Sequence, residues 1–230
     1  MGTMVSRGAK VAFYRVLAVP MMWNGYIWRH LRSPRSGTIT VQLGPGKFNY
    51  LDGWINVDAN FVSAKIDVWA DLHNALPFRN ETVDAFYSHH VIEHLPDARL
   101  PFHFREMFRC LKPGGVIRVG GPHGQNAAKM LLENERSWFS DFPDSHESIG
   151  GRFANFIFCR GEHLTVLTPS YLEEIATAAG FVNMRVCRPC TETFHPNMIS
   201  DAVLAREGES HPELPHTLIV EAEKPASLST

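Results

Sequence analysis

The sequence predicts an α/β fold in which a mostly parallel sheet is covered by helices on both faces. The main observation is that short β-rich runs alternate with longer amphipathic helical patterns after residue 38. The second is that 230 residues, 44% hydrophobic and 20% charged, suit one well-buried globular domain. No internal repeat or low-complexity tract interrupts this pattern.

The first 37 residues differ in charge from the rest of the chain. They hold six Lys or Arg and no acid, which leaves 16 basic and 24 acidic residues, or −8, for the remainder. Because a body with that charge is a poor general surface for nucleic acid, we expect no nucleic-acid partner. We predict that residues 1–37 form a basic amphipathic extension packed on the domain or on a second subunit, so a homodimer is an open alternative. Peripheral contact with a membrane is the other alternative.

The apolar stretch from Val11 to Trp28 does not predict a clean membrane span, because Arg15, Pro20 and Asn24 interrupt it. The N-terminus lacks a convincing small-residue cleavage site, so we expect no signal peptide. Four cysteines are too few for a disulfide scaffold at this length and indicate reduced, structural thiols. We therefore expect a cytoplasmic protein, with peripheral contact at the inner membrane face as an alternative.

Seven strands are predicted after the basic extension. Their ranges are 38–43, 54–59, 66–70, 83–88, 116–119, 181–187 and 217–223. One helix is predicted over Asp97–Leu111, and a second begins near Pro169 and stops at Gly180. Ser170 and Glu173 resemble a capping box, which would shift the start of the second helix by about one or two residues.

Residues 121–168 fit the alternating pattern least well. They are rich in aromatic side chains, acids and histidines. We predict that they form an insert or lid after the fifth strand, because connections there lie over the carboxyl ends of parallel strands, where ligands bind. The aromatic side chains either line the acceptor pocket or form ordinary core.

Two glycines directly after the first strand predict a ligand-binding turn. Gly44 and Gly46 allow a tight turn and a close backbone approach to a ligand, and a simple strand-ending turn is the alternative. Asn49 stands where a dinucleotide fingerprint has its third glycine, and no phosphate-binding lysine loop is present. A nucleoside cofactor therefore fits better than a dinucleotide or a nucleoside triphosphate.

Two carboxylates extend this cofactor hypothesis. Asp58 ends the second strand, where it can accept hydrogen bonds from both ribose hydroxyls. Asp71 precedes another turn, where it can accept from an adenine amino group or can cap the turn. Leu72 and Phe78 are candidates to flank a flat ring.

Six motifs between residues 38 and 123 together resemble the class I S-adenosylmethionine-dependent methyltransferases, closest to a small bacterial group with a Gly-Trp-Ile-Asn-Val-Asp second strand. The motifs are Leu43-Gly44-Pro45-Gly46, Gly53-Trp54-Ile55-Asn56-Val57-Asp58, Leu76-Pro77-Phe78, Val83-Asp84-Ala85-Phe86-Tyr87-Ser88, Glu93-His94 and Leu111-Lys112-Pro113-Gly114-Gly115. The resemblance implies a Rossmann-like, three-layer αβα domain over residues 38–230. Its seven-stranded sheet would be mostly parallel with an antiparallel last strand.

The same resemblance implies roles for individual residues. It places Gly44 and Gly46 against the methionine part of S-adenosylmethionine, Asp58 on the ribose, and Asp71 near the adenine. It also places Ser88 and His89 near the sulfonium. The chain departs from the pattern at Gln42, where many relatives carry an acid that helps to hold the amino group.

The run His90-Val91-Ile92-Glu93-His94 is the sharpest chemical feature outside the cofactor motifs. It is similar to the Glu-x-x-Glu-His sequence with which some methyltransferases bind a divalent metal, so His90, Glu93, His94 and, from the lid, His163 are candidate ligands. Two alternatives stay open: His94 or His163 acts as a general base without metal, or Glu93 and His94 only pack at a helix start. The run also matches an inverted zinc-peptidase pattern, but it directly follows a strand rather than lying on a helix.

From these observations we expect an S-adenosylmethionine-dependent methyltransferase. We expect it to act on a hydroxyl of a sugar, a glycan precursor or another small molecule, by analogy with the resembling group. A non-catalytic partner subunit with the same fold is one alternative. A metal-dependent hydrolase using His90, Glu93 and His94 is the other, and it is disfavoured.

Overall fold

The computed structural model describes the backbone of residues 7–226 and the side chains of residues 14–226. Its centre is a seven-stranded sheet with the order β3-β2-β1-β4-β5-β7-β6. The strands are β1 (Thr40–Leu43), β2 (Ile55–Asp58), β3 (Val68–Trp69), β4 (Val83–His89), β5 (Leu111–Pro122), β6 (Val182–Cys187) and β7 (Thr217–Glu223). β7 runs antiparallel to both of its neighbours and the other pairs are parallel, which confirms the predicted α/β sheet.

Six α-helices flank the sheet in the described residues. They are α1 (Arg7–Ile27), α2 (Leu100–Cys110), α3 (Gly124–Leu132), α4 (Ile149–Phe158), α5 (Pro169–Ala179) and α6 (Asp201–Leu204). The predicted helix over Asp97–Leu111 is a 3₁₀ turn followed by α2. None of the helices in residues 7–226 is long and apolar enough to cross a membrane.

The predicted capping box at the start of α5 is wrong. The hydroxyl of Thr168 accepts a hydrogen bond from the Tyr171 amide at 3.3 Å, so Thr168 is the cap and Pro169 is the first helical residue. Thr168 already has the extended backbone that an N-cap requires, which leaves Ser170 inside the first turn. The end of the helix is as predicted, because Gly180 adopts a left-handed conformation with φ +103°.

The two faces of the sheet have different chemistry. One face is apolar and packs against α2 and α5, where Phe86, Ile117, Phe104 and Leu172 are fully buried. The other face lies under residues 188–216, and α6 contributes a small apolar cluster there. These two covers make the three-layer arrangement that a parallel sheet needs to keep water from both faces.

A row of buried polar side chains crosses the second face from strand to strand. Its members, which we call the polar row, are Asn56, Gln42, Tyr87, Arg118 and Glu221, and each is at most 2% exposed. They are direct register partners on β2, β1, β4, β5 and β7, so they point to the same side of the sheet. Burying polar groups is costly unless they find partners, so this row constrains what covers it.

Arg118 attaches the covering segment to the sheet. Its guanidinium donates to both carboxylate oxygens of Glu207, at 2.6 and 2.9 Å, and also to Glu221 and to the Glu192 carbonyl. Arg118, Glu207 and Glu221 are almost fully buried, so water screens this cluster little. Glu207 and Glu192 both belong to the segment that covers the polar row, and the cluster therefore holds that segment in place.

We predict that Arg118→Met lowers the free energy of unfolding by about 3–5 kcal/mol, because it leaves two buried carboxylates without their cation. Urea unfolding followed by circular dichroism measures the change. Arg105→Met is the matched control, since Arg105 is exposed on α2 and should change stability by less than about 0.5 kcal/mol. Equal stability of the two variants would show that the cluster does not hold the segment.

Candidate active site

The glycine turn after β1 is tied to the end of β2. Gly44 and Gly46 have φ of +66° and +56°, and a Cβ on Gly44 would lie 2.4 Å from a methyl group of Val91, so glycine is required there. The Gly46 amide donates to one carboxylate oxygen of Asp58 at 3.0 Å, and the Asn60 amide donates to the other at 2.8 Å. The turn and the carboxylate therefore form one rigid unit at the carboxyl edge of the sheet.

Asp71 caps the turn that follows β3. Its Oδ1 accepts from the His73 amide at 2.9 Å and lies 2.7 Å from His73 Nδ1. Burial raises the pKa of the Asp71 carboxyl, but the hydrogen bonds from His73 outweigh it and hold the pKa below its usual value. Leu72 is buried beside it. In the described residues, Asp71 therefore caps the turn, which was one of its two predicted roles. Contact with an adenine stays a prediction.

Ser88 and His89 end β4 beside the glycine turn. Ser88 is fully buried, and its hydroxyl has no hydrogen-bond partner among the described residues. Burial, with a smaller contribution from His90, lowers the pKa of His89 to about 3, so this imidazole is neutral at pH 7. The end of β4 therefore presents uncharged polar groups.

Gln42 lies two residues before the glycine turn, and its side-chain oxygen is a hydrogen-bond acceptor that no described residue uses. The side chain is 2% exposed, and its Oε1 has no hydrogen-bond partner among the residues that the structure describes. A buried carbonyl oxygen without a donor is costly. The position therefore suits a donor that arrives with a ligand.

Glu93, His94 and His163 form a compact group beyond the end of β4. One ligand atom from each lies within 4.8 Å of the other two. The first two residues belong to a 3₁₀ turn at Ile92–His94, and His163 comes from the segment between β5 and α5. Glu93 is fully buried and its Oε2 has no partner in the described part of the chain.

Backbone carbonyls orient both imidazole rings of this group. His94 Nδ1 lies 3.0 Å from the Glu162 carbonyl oxygen, and His163 Nδ1 lies 3.1 Å from that of Ile157. A carbonyl accepts only, so each Nδ1 carries the proton and each Nε2 keeps a free lone pair. Burial lowers the pKa of His163, which favours this neutral form.

His90, the fourth predicted ligand, is not part of the compact group. Its Nδ1 lies 3.0 Å from Glu93 Oε1 and its Nε2 lies 3.5 Å from the Thr217 hydroxyl. Its backbone is left-handed with φ +54°, a conformation that costs free energy in residues other than glycine. The hydrolase alternative finds no support, because His90, Glu93 and His94 lie on a short turn after a strand rather than along a helix.

The segment 121–168 closes on itself and carries α3 and α4, which the sequence pattern did not reveal. Its ends meet where the Gly124 amide donates to the Leu167 carbonyl at 2.9 Å. Trp138 and Phe139 are nearly fully buried within it, so these aromatics form core rather than line a pocket.

A histidine that the sequence analysis did not single out anchors this segment. His216 Nδ1 lies 3.3 Å from a carboxylate oxygen of Glu209, and its Nε2 contacts the Trp138 carbonyl. Burial lowers the pKa of His216, but the bond to Glu209 and the carbonyl raise it above its usual value overall. No motif marks these residues in the sequence, because they meet only in the folded chain.

Comparison with known proteins relates the central part of the chain to a family. Residues 55–119 match the family model described as "Methyltransferase domain", and this range includes β2 through most of β5. The matched range contains Asp58 at the end of β2, His89 at the end of β4 and the turn with Glu93. The match over residues 55–119, together with the seven-stranded sheet, supports a class I S-adenosylmethionine-dependent methyltransferase. No curated protein matches its sequence.

One solved structure shares the fold of this chain, and two others are similar to it at lower TM-scores. A SAM-dependent methyltransferase from Archaeoglobus fulgidus aligns with a TM-score of 0.53 at 16% identity, covering 92% of this chain and 100% of that one. A possible histamine N-methyltransferase from Thermotoga maritima gives 0.49 at 14% identity, with 93% and 95% covered. A putative methyltransferase in complex with the Trm112 activator of Haloferax volcanii gives 0.49 at 14% identity, with 93% and 94% covered.

Proposed function

We propose that this methyltransferase transfers a methyl group from S-adenosylmethionine to a hydroxyl oxygen of a sugar, a glycan precursor or another small molecule. The observation that carries the proposal is the compact group of Glu93, His94 and His163 beside the glycine turn. A hydroxyl must lose its proton when its oxygen is methylated, and two oriented imidazoles beside a buried carboxylate can supply the base for that step.

The glycine turn and the polar atoms around it suit the cofactor. Apart from its chain neighbours, no heavy atom of the described residues lies within 4 Å of a Cβ built on Gly46, which leaves room for the methionine part beside the turn. Asp58 accepts from the Gly46 amide, and its carboxylate could also accept from the ribose hydroxyls. The free Oε1 of Gln42 suits the ammonium group of the methionine part, in place of the acid that many relatives carry. Each of these residues would contact a different chemical group of the same cofactor molecule.

The adenine and sulfonium ends have their own candidate residues. Asp71 and Leu72 lie after β3, where an adenine ring would meet a carboxylate and an apolar side chain. Ser88 and His89 lie at the end of β4, between the glycine turn and the compact group. These two residues would therefore hold the sulfonium end of the cofactor.

The compact group would hold the acceptor and remove its proton. S-adenosylmethionine supplies an electrophilic methyl group, and its sulfur keeps the electron pair when that bond breaks. The free Nε2 of His163 or His94 accepts the hydroxyl proton as the oxygen forms its new bond to carbon. The carbonyls of Ile157 and Glu162 fix the rings, so little reorganisation is needed during the reaction.

The same residues fit a divalent cation. Two imidazole nitrogens with free lone pairs and a buried carboxylate oxygen without a partner are typical metal ligands, and carbonyls that bind the opposite ring nitrogens are the usual support for them. A cation held there would polarise the acceptor hydroxyl and lower its pKa. His90 would then support Glu93 through their 3.0 Å contact rather than act as a ligand itself.

The Gln42 proposal predicts opposite effects on binding and on stability. Gln42→Met keeps the shape of the side chain but removes Oε1, so the dissociation constant for S-adenosylmethionine should rise about tenfold while the free energy of unfolding is unchanged or higher. Isothermal calorimetry and urea unfolding measure the two quantities. Gln125→Met, at an exposed position on α3, is the matched control. Unchanged cofactor affinity in Gln42→Met would remove Gln42 from the cofactor site.

Separate His94→Ala, His163→Ala and Glu93→Gln variants test the compact group. Removal of the base or the carboxylate should lower turnover by about 100-fold or more, while cofactor affinity stays within about threefold, because these residues face the acceptor. Formation of S-adenosylhomocysteine, followed with a panel of sugars and other small hydroxyl compounds, gives turnover. Calorimetric titration with Mn²⁺ and Zn²⁺ shows whether a cation takes part.

His146→Ala is the control for this series, since His146 is exposed in the segment 121–168 and lies outside the compact group. Loss of metal binding in His163→Ala but not in His146→Ala would support a divalent cation bound by the compact group. If the enzyme turns over without added metal and His163→Ala still lowers that turnover, His163 acts as a general base and no cation is needed. Unchanged turnover in all three variants rejects the compact group as the acceptor site.

A further inference from the structure

One side of α1 is an exposed apolar and basic surface that the methyltransferase site does not use. Positions 15, 19, 22 and 26 are spaced to lie along one side of the helix, and 16 and 23 flank them. We call this set the outer face; its members are Arg15, Val16, Val19, Met22, Trp23 and Tyr26. We propose that the outer face binds the anionic surface of a lipid bilayer.

The opposite side of α1 holds the helix on the domain. Met21 is 1% exposed, and the Asn24 side chain donates to the Trp69 carbonyl at 2.7 Å. Arg29, in the π-helix Trp28–Arg32 that continues α1, donates to the Leu76 carbonyl. Because these contacts fix the rotation of the helix, most of the outer face points away from the domain, and Met22 and Tyr26 lie at its edge. Its exposure is therefore a consequence of the fold rather than of a loosely attached helix.

The apolar members of the outer face are far more exposed than core residues. Val16 is 78% exposed, Trp23 is 62% exposed and Tyr26 is 58% exposed. Trp and Tyr are enriched where a protein meets the headgroup region of a bilayer, since their rings are apolar and their N–H and O–H groups remain hydrated. A contiguous surface of this kind is typical of an interaction site.

The charge of this part of the chain selects an anionic partner. Residues 1–37 contain six basic and no acidic residues, whereas the rest of the chain carries −8. An anionic bilayer attracts the helix and repels the body, which orients the molecule with the outer face toward the lipid. A second copy is disfavoured, because it would bring another six positive charges to the same contact.

The position of α1 connects this surface to the active site. Met22, Tyr26 and Arg29 line a cavity of about 280 Å³ together with Ala70 and Asp71, which follow β3. α1 therefore runs beside the carboxyl edge of the sheet. A molecule that binds lipid through the outer face keeps this edge close to the bilayer surface.

Vesicle binding by the full-length protein tests the proposal. The probes are vesicles of phosphatidylcholine alone and of phosphatidylcholine with phosphatidylglycerol in a two-to-one ratio, and sedimentation gives the partition coefficient. The wild type should bind only the anionic vesicles, and binding should weaken at high salt. Trp23→Ala with Tyr26→Ala should weaken partitioning at least tenfold, and Arg15→Glu, which changes two charges, should weaken it roughly 30-fold.

Two exposed positions elsewhere supply matched controls. Leu132→Ala removes a side chain that is 86% exposed on α3, and Arg105→Glu reverses an exposed charge on α2; neither should change partitioning. Unchanged circular dichroism and urea unfolding show that the outer-face variants are folded, and unchanged affinity for S-adenosylmethionine in Arg15→Glu separates this test from that of the proposed function. Equal binding to neutral and anionic vesicles overturns the proposal. Sedimentation velocity supplies a second test. If the wild type is a dimer and the double substitution Trp23→Ala with Tyr26→Ala makes it a monomer, the outer face binds a second copy and the proposal is overturned.

Discussion

The polar row across the sheet is the constraint on which the rest of the structure depends. Asn56, Gln42, Tyr87, Arg118 and Glu221 lie side by side on five neighbouring strands and are all buried. A slip of one residue in any of these strands would turn its polar side chain into the apolar layer under α2 and α5. The row therefore fixes the register of β2, β1, β4, β5 and β7, and Arg118 fixes the segment that covers them.

That register determines where the functional groups meet. Once Gln42 is paired with Asn56 and Tyr87, the glycine turn, Asp58 and His89 fall at the same edge of the sheet, two residues further along their strands. Glu93 follows within one short turn, and the segment 121–168 returns to bring His163 beside it. The site thus combines a part held by the sheet with a part held by long-range contacts, of which the Glu209–His216–Trp138 anchor is one.

Local patterns predicted the first part of the site and not the second. Strand periodicity, the glycines of the turn and an acid at a strand end are short-range signals, and the strands they predicted are present. Most differ only slightly at their ends, but β5 spans 12 residues, Leu111–Pro122, where 116–119 was predicted. α3, α4 and the His216 anchor lacked such a signal, because their apolar and polar partners are dozens of residues away in the chain. The polar row could not be predicted from the sequence either. The alternation of side chains along a strand predicts which residues share a face of the sheet, but not that one face is both buried and polar. Thr168 was missed as a helix cap because Ser170 and Glu173 offered a competing local pattern.

A crystal structure with S-adenosylhomocysteine tests the central claim, that the register set by the polar row builds a methyl-transfer site at the carboxyl edge of the sheet. The account predicts the homocysteine part against Gly44 and Gly46, with its amino group on Gln42 Oε1, and the ribose on Asp58. It also predicts that the sulfur faces the side of Glu93, His94 and His163. A ligand bound with its sulfur away from these three residues, or with no contact to Asp58, would contradict it.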